Sequence, residues 1–154
     1  MIADEEVMRH LGGVQLRSVA WRGFLSMPGA WAIQGFSMFS VLERASGRWI
    51  GRVGPLAPEG WPGTEVGWSL VRDAWGMGYA TEAATASIDW TVDHLGWSEI
   101  IHCIDAANVA SQAVARRLGS SILRQTNLPP PYEEVSVDVW GQSAQAWTER
   151  RRSL

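Results

Sequence analysis

The segment from Glu65 to Ala86 gathers the residue types best able to do chemistry in this chain. In Thr64-Glu65-Val66-Gly67-Trp68-Ser69-Leu70, strand alternation puts Val66, Trp68 and Leu70 on one face and Glu65, Gly67 and Ser69 on the other. The first face reads as buried, the second as small and polar. Trp75-Gly76-Met77-Gly78-Tyr79-Ala80 then leads into a helix. A helix start leaves backbone N–H groups unpaired at the positive end of the macrodipole, so it attracts anions. Gly76 and Gly78 lack a Cβ, which lets the chain form a concave turn that a phosphate can approach closely. This is the pattern of a pyrophosphate cradle, although an ordinary strand-to-helix turn can share it. No G-x-x-x-x-G-K-[ST] is present, which excludes a P-loop, and Thr81 stands where a dinucleotide fingerprint has its third glycine.

Other reactive residue types read more plainly. Cys103 is the only cysteine and lies in an apolar run, so it reads as a small core residue rather than a nucleophile. A lone cysteine makes no intrachain disulfide and no cysteine-rich zinc site. His10, His94 and His102 are scattered without metal-ligand spacing, so no metal is expected. Trp68 and Trp90 read as core or flank, while Trp31 is expected beside an acceptor pocket. Glu149-Arg150-Arg151-Arg152 reads as a solvated tail.

The elements that must position these groups follow from periodicity and punctuation. Asp4 to Leu11 reads as the end of a helix stopped by Gly12-Gly13, and Leu16 to Ser26 as a short helix closed before Pro28 and Gly29. Phe36 to Glu43 and Trp49 to Leu56 form a hairpin around Ala45-Ser46-Gly47, and Thr64 to Leu70 resumes as strand. The next helix carries the stripe Ala80, Ala83, Ala84, Ser87, Ile88, Thr91, Val92, Leu95 and stops at Gly96. Glu99 to Asp105 is a strand, Asn108 to Leu118 a helix, and Ile122 to Thr126 and Val135 to Trp140 the last strands. The order predicts an α/β chain with a mixed sheet.

Composition sets the frame. A chain of 154 residues, 46% hydrophobic and 19% charged, makes one globular domain, residues 1–154. Its net charge of −3 argues against nucleic acid as partner. All 13 basic residues are arginine, which composition alone does not explain. No window is apolar enough for a membrane span and no signal peptide is apparent, so a cytoplasmic location is expected.

Two blocks resemble the GNAT acetyltransferases, specifically the ribosomal-protein N-terminal acetyltransferase-like branch. Glu65-Val66-Gly67-Trp68-Ser69-Leu70 with Trp75-Gly76-Met77-Gly78-Tyr79-Ala80-Thr81-Glu82-Ala83 looks like the family's acetyl-CoA motif. Asn108-Val109-Ala110-Ser111 followed by Val114-Ala115-Arg116-Arg117-Leu118-Gly119 resembles the helix after the family's fifth strand. Glu6-Val7-Met8-Arg9, Gly47, Gly51 and Trp61-Pro62-Gly63 fit the spacing of the same branch. The resemblance implies a mostly antiparallel sheet splayed between the family's fourth and fifth strands, flanked by helices. It implies acetyl transfer from acetyl-CoA to an amine, a peptide N-terminus or a small metabolite, by direct attack.

Carried over by position, Leu70 and Val71 would offer backbone groups to the pantetheine arm. Gly76, Met77, Gly78, Tyr79 and Ala80, with Thr81 beside them, would hold the pyrophosphate. Trp75 replaces the family's usual Gln or Arg. Asn108 would bond the cofactor or the splayed strand edge, or simply cap its helix. Glu65 matches a glutamate that serves as base in some relatives. It lies about 13 Å along the strand from Ser69, so a water chain would be required; pairing or loop capping is the other reading. Ala115 stands where many relatives carry a tyrosine acid, and Ser111 is the remaining donor for the departing thiolate. The alternative function is a non-catalytic acyl-CoA-binding module of the same fold. The family's first strand is missing from the expected order, so the strand from Phe36 to Glu43 is expected at an open edge. A partner copy in a homo-oligomer, a rearranged segment or an upstream start would answer that.

Overall fold

The computed structural model describes residues 1–153. Its elements are α1 (Glu5–Met8), α2 (Arg17–Gln34), β1 (Phe39–Leu42), β2 (Trp49–Leu56), β3 (Glu65–Leu70), α3 (Tyr79–Leu95), β4 (Glu99–Ile104), α4 (Val109–Leu118), β5 (Ser121–Asn127), β6 (Ser136–Ser143) and α5 (Ala144–Arg152). The strands form one six-stranded sheet in the order β1-β2-β3-β4-β6-β5. All neighbours are antiparallel except β3 and β4, which run parallel and pair only at Glu65↔Ile101. Beyond that point the two strands part. This is the mixed α/β sheet that the sequence leads one to expect, with its splay between β3 and β4.

The core lies where α3 crosses the sheet. Ala84, Ser87, Ile88 and Thr91 repeat at helical spacing and are buried against Ile50, Val53, Val66 and Ile100. Gly96 at φ +64° ends α3, its N–H bonded to Thr91 O. No described helix is long and apolar enough to cross a membrane.

Three sequence expectations need correction. The first concerns α2, which does not close before Pro28 but runs through it to Gln34. Pro28 leaves the Phe24 carbonyl without its helical donor, and Phe24 is exposed, where water can take that place. Beyond the proline, Trp31 packs on Phe39 and Trp90, with ring centroids 5.4 and 6.0 Å away, so tertiary contact carries the helix on. Trp31 therefore joins α2 to β1 and α3 and takes no part in the large groove described below.

The second concerns the tail: Glu149 to Arg152 are solvent-exposed, as their charge suggests, but they close a helix, α5, that the sequence pattern did not reveal. Trp147 is 3% exposed and donates its indole N–H to Asp89 at 2.8 Å, while Arg150 donates to the Arg117 carbonyl at 2.8 Å. One large apolar anchor outweighs the polar composition around it. The third concerns β3, whose Glu65–Gly67–Ser69 face is covered too: Glu65 is 6% and Ser69 7% exposed. β1 is shorter than predicted and forms one margin of the sheet.

Candidate active site

Where β3 and β4 separate, a groove of about 1060 Å³ opens between the start of α3, the start of α4 and the N-terminal segment. Its first wall is the loop after β3. Gly76 and Gly78 adopt φ +74° and +86°, the left-handed region that glycine enters without a Cβ penalty. A Cβ on either would meet nothing within 4 Å, so the loop faces open space. Gly78 caps α3 without any side chain bonding the helix start. The first N–H groups of α3 therefore point at the groove without partners among the described residues. Trp75 fixes this loop to the strand by donating its indole N–H to Leu70 O at 3.0 Å. Tyr79 O–H donates to Glu43 at 3.1 Å, tying the same loop to the β1–β2 turn.

The second wall is α4. Asn108 is its N-cap, accepting from Ser111 N–H at 3.1 Å, the capping role its residue type suggested. Trp68 also lines the groove and donates its indole N–H to Ser111 Oγ at 3.2 Å. That bond occupies the serine oxygen as acceptor and leaves its proton free to donate into the groove. Ala115 is fully buried in a small cluster with Ile104 and Trp140, on which Trp68 packs.

Of the residues singled out from sequence, Leu70, Gly76, Gly78, Tyr79 and Ala80 line this groove, as do Thr81, Asn108 and Ser111. Met77 and Val71 do not. Met77 points its side chain to solvent, 61% exposed, and the Val71 N–H is bonded to Ile50 O at 2.9 Å. With Leu70 O held by Trp75, ladder alternation leaves the main-chain groups of Trp68 facing the gap that β4 has vacated.

Glu65 lies outside the groove lining, at the end where β3 and β4 still pair. Its two oxygens accept from Trp61 Nε1 at 2.5 Å and from Cys103 N–H at 3.2 Å. Burial raises its carboxyl pKa, and these two donors offset part of that rise. Burial also pushes the Cys103 thiol well up, so no thiolate nucleophile forms there.

Sequence reasoning missed His10 and His102. His10 lines the groove, and its Nδ1 lies 2.8 Å from Asp105 Oδ2, holding the N-terminal segment to the end of β4. Asp105 is held below the usual carboxylate range by the Ala107 N–H and then by His10. His102 is 1% exposed between β3 and β4. Neither pairing has a local signature. The loop 127–134 is not among the residues that line the groove; its Pro129 lies against Gly60. Among the described residues, no group of three or more His, Cys, Asp or Glu is placed to hold a metal ion.

A sheet split at its one parallel pair, with a glycine turn and a helix start without a side-chain cap beside the split, is the arrangement of this domain. The chain belongs to the GNAT acetyltransferases: the family model described as "Acetyltransferase (GNAT) domain" matches residues 1–121. An uncharacterised Bacillus subtilis protein, YkkB, is 32% identical over 110 residues, 68% of this chain and 64% of that protein. The chain thus spans just under two thirds of that relative's length. An acetyltransferase structure from Agrobacterium tumefaciens is 26% identical with TM-score 0.78, over 92% of this chain and 80% of that one. Two structures share the fold at lower identity. One is a spermidine N-acetyltransferase from Vibrio cholerae in complex with CoA and spermine, at TM-score 0.73 and 12% identity over 96% and 88% of the two chains. The other is a ribosomal-protein-S5-alanine acetyltransferase from Vibrio fischeri, at TM-score 0.63 and 19% identity over 82% and 72%. The ribosomal-protein branch expected from sequence is therefore one kind of neighbour among several.

Proposed function

We propose that the chain transfers the acetyl group of acetyl-CoA to the nitrogen of an amine, a peptide or protein N-terminus or a small-molecule amine. The observation that carries this reading is the uncapped start of α3 opening onto a groove beside the unpaired edge of β3. The residues fit the group. Two glycines at positive φ face open space, so the N–H groups of residues 76–81 would hold the pyrophosphate. The gap-facing backbone of β3 would lie along the pantetheine arm as an added strand does. Bound there, acetyl-CoA supplies a thioester carbonyl open to attack.

The chain's own residues then position, exclude water and move protons. Ser111, whose oxygen accepts from Trp68, is the donor placed to meet a departing sulfur. Asn108 holds that serine in the first turn of α4. Glu65 is the candidate base, and from its buried place at the closed end of the split it would act through water. The similarity to a fold that holds CoA and spermine supports an amine acceptor.

A second reading, a CoA-ester-binding module without turnover, is favoured by Ala115, whose buried methyl can donate no proton. Calorimetry with CoA, followed by thiol release from acetyl-CoA across a panel of amines, separates the two. Binding with amine-dependent release is the expected result. Binding without release supports the module, and no heat at millimolar CoA refutes both.

The same reading places the protein in the cytoplasm as one domain, and as a homodimer. α2 exposes Trp21, Phe24, Leu25 and Ile33, and β1 touches it through Phe39 on Trp31 at the sheet margin. A second copy would cover both. Light scattering behind gel filtration should give twice the chain mass; a monomer at high micromolar concentration would refute it.

A further inference from the structure

The ladder between β3 and β4 stops abruptly, and the atoms at the stop are all accounted for. Ile101 N–H donates to Thr64 O at 3.0 Å, which sets the register Glu65↔Ile101. The next rung of a parallel ladder in this register would run from Cys103 N–H to Val66 O. Neither group makes it. Cys103 N–H donates instead to the Glu65 carboxylate at 3.2 Å, and Val66 O accepts from His102 Nδ1 at 2.7 Å. A β3 side chain thus takes the β4 donor, while a β4 side chain takes the β3 acceptor.

We propose that Glu65 and His102 are reciprocal positioning residues that split the sheet at this rung and thereby fix where the groove begins. A buried main-chain group without a partner is strongly disfavoured, so β3 and β4 can part here only if both orphaned groups find substitutes. Glu65 and His102 are 6% and 1% exposed, and water is a poor competitor at such depth. Both are braced from behind. Glu65 also accepts from Trp61 Nε1 at 2.5 Å. Val66 O only accepts, so His102 Nδ1 carries the proton, and Nε2 accepts from the Ser120 hydroxyl at 3.1 Å. Ser120 Oγ in turn accepts from Gln142 Nε2 at 3.1 Å.

Gly67 leaves the carboxylate its space: a Cβ there would stand 3.4 Å from Glu65 Oε1. The split is also joined to the groove, because Trp68 lies 4.8 Å from the His102 ring and bonds Ser111. This role stands beside any proton transfer by Glu65.

Through-hydrogen-bond NMR coupling in the ¹⁵N,¹³C-labelled protein tests it without substitution. The Cys103 amide nitrogen should couple to the side-chain carboxyl carbon of Glu65; coupling to the Val66 carbonyl carbon overturns the proposal. In the double variant Glu65→Ala with His102→Leu, the Cys103–Val66 coupling should appear and CoA should bind about tenfold more weakly. His102→Asn places an amide nitrogen where Nδ1 stood and should bring affinity back close to the parent value, whereas His102→Leu alone should not. A folded double variant whose ladder stays open and whose CoA affinity is unchanged also overturns it. The affinity arm rests on the proposed function; the coupling arm does not. A wild-type protein with the expected coupling but no CoA binding would refute the acetyltransferase reading and leave the split ladder standing.

Discussion

The two ends of β3 treat their polar groups in opposite ways. At Glu65, backbone and side-chain groups alike are bonded: Ile101 to Thr64, Cys103 to Glu65, Val66 to His102. Past Leu70, the start of α3 is left without a side-chain cap, and two glycines keep the space in front of it clear. The contrast separates frame from site. Where the protein satisfies every donor, a change should cost stability; where donors face open space, it should cost ligand and spare the fold.

The largest expected effect belongs to the frame. Ile101 is fully buried at the paired end, beneath Gly63, so Ile101→Ala should lower unfolding free energy by about 3 kcal/mol. Denaturant titration measures it, and a loss below about 1 kcal/mol would mean that this end is not the rigid part.

Next comes acid. Burial lowers His102 from the ordinary 6.5 to about 4, with the bond to Val66 O opposing that shift. The unfolded chain therefore binds the proton first. Stability from this group is complete above pH 6.5 and is lost as pH falls towards 4, by about 3 kcal/mol at most. Glu65 has the opposite sign: its raised pKa favours the folded state where the carboxyl is protonated and costs stability as pH rises through that range. Unfolding curves between pH 4 and 7 for wild type, His102→Asn and Glu65→Gln resolve the two slopes. An unchanged slope in His102→Asn would show that the imidazole does not titrate in this window.

How far these ends could be read from sequence depends on how local each signal is. The glycines at 76 and 78 stand beside a strand pattern on one side and a helical stripe on the other, so the turn and the start of α3 were legible together. The burial of Glu65 was not, because nothing in the sequence near it tells that Trp61 and Cys103 close over its carboxylate. His102 looked like one polar residue in an apolar strand; its bonds go to Val66 and Ser120, which only the parallel crossover brings near. Pro28 misled in the other direction, since a strong local breaker was overruled by Trp31 packing far along the chain. The arginines of the tail masked Trp147 in the same way.

At the open end, Gly78→Trp should weaken CoA binding about a hundredfold by filling the approach to the α3 start and forcing an L side chain to φ +86°. Calorimetry on folded variant checks it. Wild-type affinity would show that this loop is an ordinary turn and that the contrast between the two ends has been misread.

The smallest effect is also the most selective. Trp75→Phe keeps an aromatic ring at 75 but removes the indole N–H that holds the loop to Leu70 O. One hydrogen bond of this kind is worth about 1 kcal/mol, so CoA affinity should fall roughly fivefold. The melting temperature should stay almost constant, because Trp75 is 45% exposed and little apolar area is lost. If both fall together, the loop belongs to the frame. If affinity rises instead, the carbonyl freed at Leu70 is itself a ligand contact, and Trp75 blocks it in the unliganded protein.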